Sequence, residues 1–599
     1  MTEYLRLAVG TLLVLLPGLA LGRTVSEVVA WAMGALFLAW SVVFTVHGDV
    51  RLAAAVMAGL TIVALAVRRR LVSAGSARAG TGWALGVGVV LGWLLWHVAG
   101  AIVGDGLFHE GRVRKLVELG HLHLRTVDEF RDGGLHPGYA FPLWHSFDAL
   151  VAWTSGLDPA VVLRHEPSLL APVAVAVAYE AGVAVFRARA AGVTVALAQV
   201  ATFCFAAGHG GGYAQLAQPG TAARQILVPA ATALFFRRRY AETALAFGAL
   251  ALVHSTYAVF LLIPLVVLVA WEWRAYLAAA VPVGAVLVWV HPIVAETRSR
   301  NPSDVERARA LKQYADELVV SGPHHFRLAP EVLGRSGAVA VAALFLLPVT
   351  ALAIRRRWAQ FVLGGSLLVL LLMEVPWLFV HFADATSLSQ ARRAAGFAPL
   401  TFAFAGGLAI VVRRAWLVPA GLVAGIVLQH LWPGDFSPGL QHGGPAFATW
   451  FALVGGGAAL VLVLIVRPRP VREHHAFAAL AAALFVLPVA VHGLRLWSPV
   501  APADPGALSA RLVHNLRTRV PEGSIVIAPV KVSYEVAAVA PLYVVAAPVP
   551  HVANTTANDP YGRAKAVRRW LATADAGIAR RYGATWQIRA GRLSRVPAR

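Results

Sequence analysis

Apolar runs close to 20 residues long recur from one end of this chain almost to the other, and they constrain its fold more than any other feature. A helix of about 20 apolar residues is long enough to cross the hydrocarbon core of a bilayer. Only 14% of the residues are charged, whereas soluble domains carry about 25%. The sequence therefore predicts an all-α polytopic membrane bundle and excludes a water-soluble globule.

Short arginine clusters follow or separate the apolar runs, and they predict the topology. Cytoplasmic loops are enriched in Lys and Arg, so an even number of spans must separate each cluster from the next. This gives about sixteen spans with the N-terminus outside, of which 242–253 and 257–271 are short enough to form a bent or re-entrant hairpin. The predicted spans are 7–22, 26–46, 52–67, 82–103, 164–186, 191–207, 223–236, 242–253, 257–271, 275–291, 335–354, 359–380, 393–412, 415–430, 445–466 and 476–493.

The same pattern divides the chain into three parts. Residues 1–81 are predicted to form additional N-terminal spans, 82–493 the membrane core, and 494–599 an external domain. Within the core, 104–163 and 292–334 are predicted external loops. The net charge of +22 lies largely in the short loops that orient spans, so it does not indicate a nucleic-acid partner.

The C-terminal part alternates helical and extended patterns. Strands are predicted over 524–528, 543–547 and 585–589, and helices over 507–518, 533–540 and 559–573. This alternation is typical of a small α/β layer. No glycine-rich phosphate loop follows its strands, so the domain is not predicted to bind a nucleotide.

The loop that follows the fourth predicted span is rich in histidine and acidic residues, which can act as acids, bases or ligands. Asp105 lies at the membrane exit, and His109, Glu110 and Arg112 follow at helical spacing. An apolar face that includes Phe108 predicts a helix lying on the membrane surface. On these residues alone, an interfacial helix whose polar groups only face water remains an open alternative.

This loop resembles the first external loop of the GT-C superfamily, polytopic glycosyltransferases that use polyprenyl-phosphate or polyprenyl-pyrophosphate sugars. Asp105-Gly106, Phe108 and Arg112 stand in an arrangement similar to that of bacterial oligosaccharyltransferase catalytic subunits. The C-terminal stretch at 533–546 also looks like the α/β tail of many bacterial GT-C proteins. The resemblance implies a GT-C-like fold and a lipid-linked sugar donor.

The resemblance also implies roles for particular residues. Asp105 would be the catalytic base, with Glu110 as the alternate, because an attacking hydroxyl must lose a proton. Arg392 and Arg393 would hold the donor phosphate, with Arg224 and Arg112 as weaker candidates. An arginine pair that only anchors the span among lipid headgroups is the alternative for 392–393.

Other polar residues at apolar runs are candidates for the pocket. His109 and His254 are expected to line it, and Glu374 is expected near the outer end of a span, where an ionisable group indicates function. A polar pairing between helices is the alternative for Glu374. Ser303 and Glu306 form a capping box that starts a helix, either packed on the membrane surface or closing over a substrate.

The acidic motif with which oligosaccharyltransferases help bind a metal is missing from the loop at 208–224, so no metal and no cofactor is predicted. The expected function is transfer of a hexosyl or pentosyl group from a polyprenyl-phosphate donor to a glycan or lipid acceptor. The expected place is the outer face of a bacterial cell membrane, during cell-envelope synthesis. A flippase for lipid-linked molecules and a non-catalytic scaffold of envelope assembly are the alternatives.

Overall fold

The computed structural model describes residues 2–71, 80–434, 443–469, 471–499 and 508–597. The described chain is mostly helical, and ten of its helices are long and apolar enough to cross a membrane. Three shorter apolar helices accompany them: Arg189–Phe205, Tyr240–Val253 and Ala415–Leu431. The predicted fold class, a multi-pass helical bundle with a small α/β domain, is confirmed.

Each of the sixteen predicted spans overlaps a helix of the structure. One of the ten long helices, Ser255–Ala295, is bent at Glu272, where φ is −127°, so it accounts for two predicted spans. The helices of the bundle and its loops are Thr2–Leu21, Val25–Val46, Val50–Leu71, Thr81–Val98, Asp105–Glu118, Leu143–Ser155, Pro159–Phe186, Arg189–Val200, Pro219–Ala222, Val228–Phe236, Tyr240–Val253, Ser255–Leu265, Val269–Ala295, Asp304–Gln313, Glu331–Gly334, Ala338–Leu346, Arg357–Ala359, Gly365–Glu374, Pro376–Thr386, Leu388–Ala391, Leu400–Val411, Val418–Leu431, Gly444–Trp450, Gly456–Val466 and His475–Leu496.

Arginines and glutamates from loops far apart in sequence meet on one end of the bundle, which we call the arginine face. Arg238 pairs with Glu272 at 2.8 Å, and Arg239 pairs with Glu242 at 2.6 Å and with Glu27 at 3.5 Å. All of these residues lie in or beside loops that the arginine pattern assigns to one side. The structure thus agrees with an even number of spans between the clusters.

The opposite end, which we call the Asp105 face, carries the two long loops. A two-stranded antiparallel hairpin, β1 (Leu318–Gly322) and β2 (His325–Leu328), follows the helix Asp304–Gln313 there. The predicted capping box is present: Ser303 and Glu306 each bond the backbone N–H of the other. A backbone bridge joins Thr297 to Thr555, so the second loop contacts the C-terminal domain.

The C-terminal domain is a four-stranded sheet with helices Ala510–Arg519, Ser533–Val539, Pro560–Thr573 and Ala576–Arg581. Its strands are β3 (Ile525–Ile527), β4 (Tyr543–Val544), β5 (Trp586–Arg589) and β6 (Arg592–Arg595). They lie in the order β4-β3-β5-β6, with only β5 and β6 antiparallel. The three predicted strands correspond to β3, β4 and β5; β6, which has a mostly exposed and basic sequence, was not predicted.

The domain is docked on the helix that begins at Asp105. A methyl group at Gly111 would lie 3.2 Å from the Ala537 side chain, so glycine allows the two helices to approach closely. Phe108 belongs to the apolar core of the domain and contacts the Tyr534 ring. The side chain of Arg114 donates to the carbonyl of Ala538. Apolar packing and a buried charge therefore join the domain to this helix.

Candidate active site

Asp105 is the first residue of the helix Asp105–Glu118, and its side chain is about half exposed, at 54%. The preceding residue, Gly104, has a φ of +55°, a conformation that L side chains rarely adopt. This turn takes the chain from the irregular segment after Thr81–Val98 into the new helix. The carboxylate therefore lies just beyond the end of an apolar helix, as predicted.

Two histidines flank the Asp105 carboxylate. His551, from the C-terminal domain, lies 2.9 Å through Nδ1 from Oδ1 of Asp105. His109 Nε2 lies 3.9 Å from Oδ2, too far for a hydrogen bond. The Nδ1 of His109 in turn lies 2.9 Å from His145 Nε2. One carboxylate oxygen is thus held by the domain, and the other faces the pocket.

The charges around Asp105 keep it ionised. Burial raises the pKa of the carboxyl, but the hydrogen bond with His551 and the charges of His109, His551 and Arg393 outweigh burial and hold the pKa well below its usual range. Burial lowers the pKa of His109 to about 4, against the opposing effect of Asp105. Near neutral pH the site therefore holds a carboxylate beside a neutral imidazole.

Arg393 provides positive charge close to Asp105, and Arg224 lies against the chain segment that carries Arg393. Arg393 is near enough to act on the Asp105 carboxylate, and the two guanidinium charges also act on each other. Arg224 lies in a π-helical turn, Ala223–Leu227. A methyl group at Gly396 would lie 2.2 Å from Arg224 Nη2, so this guanidinium lies directly on the backbone after Arg393.

No ion pair within the described ranges joins either of these arginines to a carboxylate. The polar neighbour of Arg393 is the phenol of Tyr257, and the Arg224 guanidinium lies 5.5 Å from the centre of the Phe203 ring. Two partly buried cations without a carboxylate partner form an electropositive pocket that favours an anion.

Aromatic rings form the wall between Asp105 and the arginines. His254 stacks on Tyr257 with ring centres 3.6 Å apart, and it lies edge-on to Tyr139 at 6.4 Å. Burial, together with the charge of Asp105, raises the pKa of Tyr139 above its usual range, so the phenol stays neutral. Aromatic rings and charges of both signs therefore surround Asp105, a combination typical of a ligand site, and we call this group of residues the Asp105 pocket.

The two arginines predicted together, Arg392 and Arg393, have different surroundings. Arg392 pairs with Glu317 at 2.6 Å and lies over the Tyr314 ring. Glu317 also pairs with Arg335 at 2.7 Å. The charge of Arg392 is thus balanced by the second loop, which leaves Arg393 as the better-placed phosphate ligand of the pair.

Arg112 is buried at 1% exposure and pairs with Asp128 at 2.5 Å and with Glu129 at 3.1 Å. Burial lowers the pKa of Arg112, but the two carboxylates outweigh burial and raise it above its usual range. This buried triad ties the helix to the rest of its loop. A phosphate contact by Arg112 stays a prediction, and the geometry favours Arg393 for that role.

Glu110 and Glu374 lie outside the pocket. Glu110 pairs with Arg114 at 3.3 Å, where the helix meets the C-terminal domain, and burial raises its pKa to about 7. Glu374 pairs with Arg327 of β2 at 2.5 Å. The polar pairing that the sequence left open for Glu374 is the one present, although its partner is a loop hairpin. Asp105 is accordingly the better-placed base.

Several residues of the pocket were not predicted. Tyr139, Tyr257 and His145 lie in helices or turns where aromatic residues are ordinary, and His551 is 446 positions from the carboxylate that it touches. Arg224 is only a weaker candidate in the sequence for binding the donor phosphate. A lone histidine in a soluble domain has no local pattern that would connect it with a membrane loop, so only the docking of the domain reveals it.

Within the part of the chain that the structure describes, no group of three or more His, Cys, Asp or Glu side chains is placed to hold a metal ion. The histidines around Asp105 come with arginine and tyrosine rather than with further carboxylates. The absence of a resident metal stays a prediction from the sequence.

No family model and no curated protein matches this chain. Among solved structures, it is similar to ArnT from Cupriavidus metallidurans bound to undecaprenyl phosphate, with 16% identity, a TM-score of 0.41, and coverage of 78% of this chain and 86% of that chain. It is also similar to the oligosaccharyltransferase of Archaeoglobus fulgidus in the apo form, with 11% identity, a TM-score of 0.44, and coverage of 85% and 69%.

Proposed function

We propose that this protein is a membrane glycosyltransferase that moves a sugar from a polyprenyl-phosphate donor to a hydroxyl of a glycan or lipid acceptor. The observation that supports the proposal is a solvent-accessible carboxylate, Asp105, close to Arg393, with Arg224 against the same segment; within the described ranges neither arginine pairs with a carboxylate. Such a site can accept a proton at one point and hold a lipid phosphate at another.

The acceptor oxygen would attack the anomeric carbon of the donor sugar while the bond from that carbon to the phosphate oxygen breaks. The hydroxyl proton would pass to Oδ2 of Asp105, the oxygen not held by His551. The Asp105 side chain is itself about half exposed, at 54%, so the proton can pass from Oδ2 to water. A positioned base of this kind contributes about 10²–10⁴-fold to the rate.

The leaving group is a lipid phosphate, which departs as an anion and needs positive charge rather than a proton. Arg393 and Arg224 are placed to stabilise the anion, since neither forms an ion pair with a carboxylate within the described chain. Preorganised donors that face developing charge are usually the largest single contribution to such catalysis. The sugar and the linkage are set by contacts that these two residues do not make.

The positive-inside rule supports an orientation. The arginine face collects clusters from short loops, which the rule places in the cytoplasm. Asp105, both long loops and the C-terminal domain lie at the other end of the bundle. We therefore infer that transfer takes place on the outer face of the cell membrane, on a cell-envelope glycan or glycolipid.

The decisive experiment is sugar transfer in proteoliposomes. Purified protein would be given a panel of polyprenyl-phosphate hexoses and pentoses, with the Asp105→Asn variant assayed in parallel. We expect transfer by the wild type and loss of at least about 100-fold in the variant, with the melting temperature unchanged. Transfer that survives in Asp105→Asn would refute this base. A folded protein inactive with every donor would refute the proposed reaction.

A further inference from the structure

A cavity of about 140 Å³ lies apart from the Asp105 pocket, where the helix Asp304–Gln313, the helix Pro376–Thr386 and the C-terminal domain meet. A single buried water needs about 10–15 Å³ of such space, so the cavity has room for a group many times larger. Ser299, Arg309 and Gln313 line it and are exposed, so it can be entered from water.

The charged side chains of this cavity balance one another. Arg307 pairs with Asp384 at 3.2 Å, Asn554 donates to Glu306 at 3.0 Å, and Arg309 lies 4.0 Å from the centre of the Tyr561 ring. Two guanidinium groups thus face two carboxylates. A phosphate would meet as much repulsion as attraction, so the lining favours a neutral ligand.

Two buried polar atoms of the lining have no protein partner within the described ranges. They are Oδ1 of Asn554, an acceptor, and Nε of Arg307, a donor. Buried polar groups nearly always have a partner, because leaving one unsatisfied costs about 1–3 kcal/mol. Both atoms are enclosed, and a rotation of the Asn554 or Arg307 side chain toward the cavity would bring them to a ligand that both donates and accepts hydrogen bonds, as hydroxyl groups do.

The cavity is linked to the Asp105 pocket by a short piece of chain. His551 contacts Asp105, and Asn554 lines the cavity three residues later. Three residues span at most about 10 Å. The segment is fixed by the bridge between Thr297 and Thr555 and by a backbone hydrogen bond from Arg298 to Asn554. The cavity and the Asp105 carboxylate are therefore contacted by residues of one fixed segment whose backbone spans at most about 10 Å.

We propose that this cavity binds one uncharged sugar ring of the acceptor glycan and so places a neighbouring hydroxyl at Asp105. The inference rests on the proposed glycosyltransferase function. Balanced charge, unsatisfied donor and acceptor atoms, amide groups and the aromatic ring of Tyr561 together fit a neutral polyhydroxylated ring. The C-terminal domain then selects the acceptor, while Arg393 and Arg224 hold the phosphate of the donor.

The test measures binding without turnover, so that it does not depend on the transfer reaction. Protein in nanodiscs, without donor, would be titrated with the methyl glycosides of glucose, galactose and arabinose, followed by saturation-transfer NMR. Inorganic phosphate serves as the anionic comparison. The variants are Asn554→Ala and Tyr561→Ala, and the matched controls are Lys312→Ala and Thr556→Ala, exposed neighbours that do not line the cavity.

We expect at least one glycoside to bind, with affinity about tenfold weaker in Asn554→Ala and Tyr561→Ala and unchanged in both controls. In the transfer assay the same two variants should raise the KM for the acceptor and leave the KM for the donor unchanged. Absence of glycoside binding to the wild type, or equal affinity in variants and controls, would overturn the inference even if transfer itself is demonstrated. Binding that follows this pattern in a protein without transfer activity would refute the reaction and leave the sugar site standing.

Discussion

Replacing Arg393 by glutamine, beside the matched variant Arg392→Gln, separates catalysis from structure at two adjacent positions. Arg393 has a tyrosine as its polar neighbour and acts on the Asp105 carboxylate. Arg392 is held by Glu317 at 2.6 Å. Removing Arg392 does not leave Glu317 without a partner, because Arg335 lies 2.7 Å from it. The two variants remove the same charge from the same segment with different local consequences.

The expected magnitude follows from these surroundings. A cation about 4 Å from a phosphate at an effective dielectric constant of about 20 gains about 4 kcal/mol, and deleting one preorganised donor costs about 2.7–4 kcal/mol in kcat. Arg224 still supplies positive charge to the phosphate in this variant, so Arg393→Gln should lower kcat by about 100- to 1,000-fold. Arg392 belongs to a partly exposed pair worth about 0–1 kcal/mol, so Arg392→Gln should cost less than about fivefold.

The assay is steady-state sugar transfer in proteoliposomes, with the donor varied at saturating acceptor and the melting temperature of each variant recorded. A catalytic Arg393 lowers kcat with little change in melting temperature. Equal losses in the two variants would refute the assignment, because the argument depends on the different partners of these arginines. A larger loss in Arg392→Gln would move the phosphate site to the second loop.

Three further outcomes are expected. His551→Ala removes the hydrogen bond that lowers the pKa of Asp105. The acidic limb of the pH profile of kcat/KM should then move to higher pH. A limb that stays in place would contradict the role given to the contact between His551 and Asp105. Gly396→Ala should push the Arg224 guanidinium away and lower the rate of sugar transfer by about tenfold or more. The effect on stability should be small, since only the flexible end of the Arg224 side chain must shift. An unchanged rate would argue against a role for Arg224 in binding the phosphate. Burial raises the pKa of Glu110 from 4.5 to about 7. Between pH 4.5 and 7 the folded state therefore binds more protons than the unfolded state. The wild type should then lose stability relative to Glu110→Gln as the pH rises through this range. A melting-temperature difference that is constant from pH 4.5 to 7.5 would disprove that shift.

The bundle could be predicted from the sequence because its signal is local. Each signal lies in a short stretch of sequence: an apolar run of about 20 residues for a span, and a cluster of arginines for a cytoplasmic loop. The same holds for β3, whose buried run Ile525–Ile527 follows a turn at Gly523 with positive φ. Each of these elements is determined by residues close together in sequence.

The site could be predicted only where its residues were local as well. Asp105 and His109 belong to one helical turn, and both lie in the pocket. Arg392 and Arg393 are equivalent candidates in the sequence, because the difference between them is made by Glu317, 75 positions from Arg392. His551 and Tyr257 are brought to Asp105 by tertiary packing, for which one sequence carries no signal.

The contact between His551 and Asp105 also sets an order of events during synthesis. Translation proceeds from the N-terminus, so every apolar helix of the bundle is made before residue 551 emerges, and helices of this kind can insert as they appear. The carboxylate at position 105 obtains its partner only when the last domain has reached the same side of the membrane and docked on the helix Asp105–Glu118. A chain that stops short of position 551 would therefore carry the arginines and the carboxylate without the histidine or the Asn554 cavity. Under the proposed function, docking of the C-terminal domain and assembly of the site around Asp105 are therefore a single event.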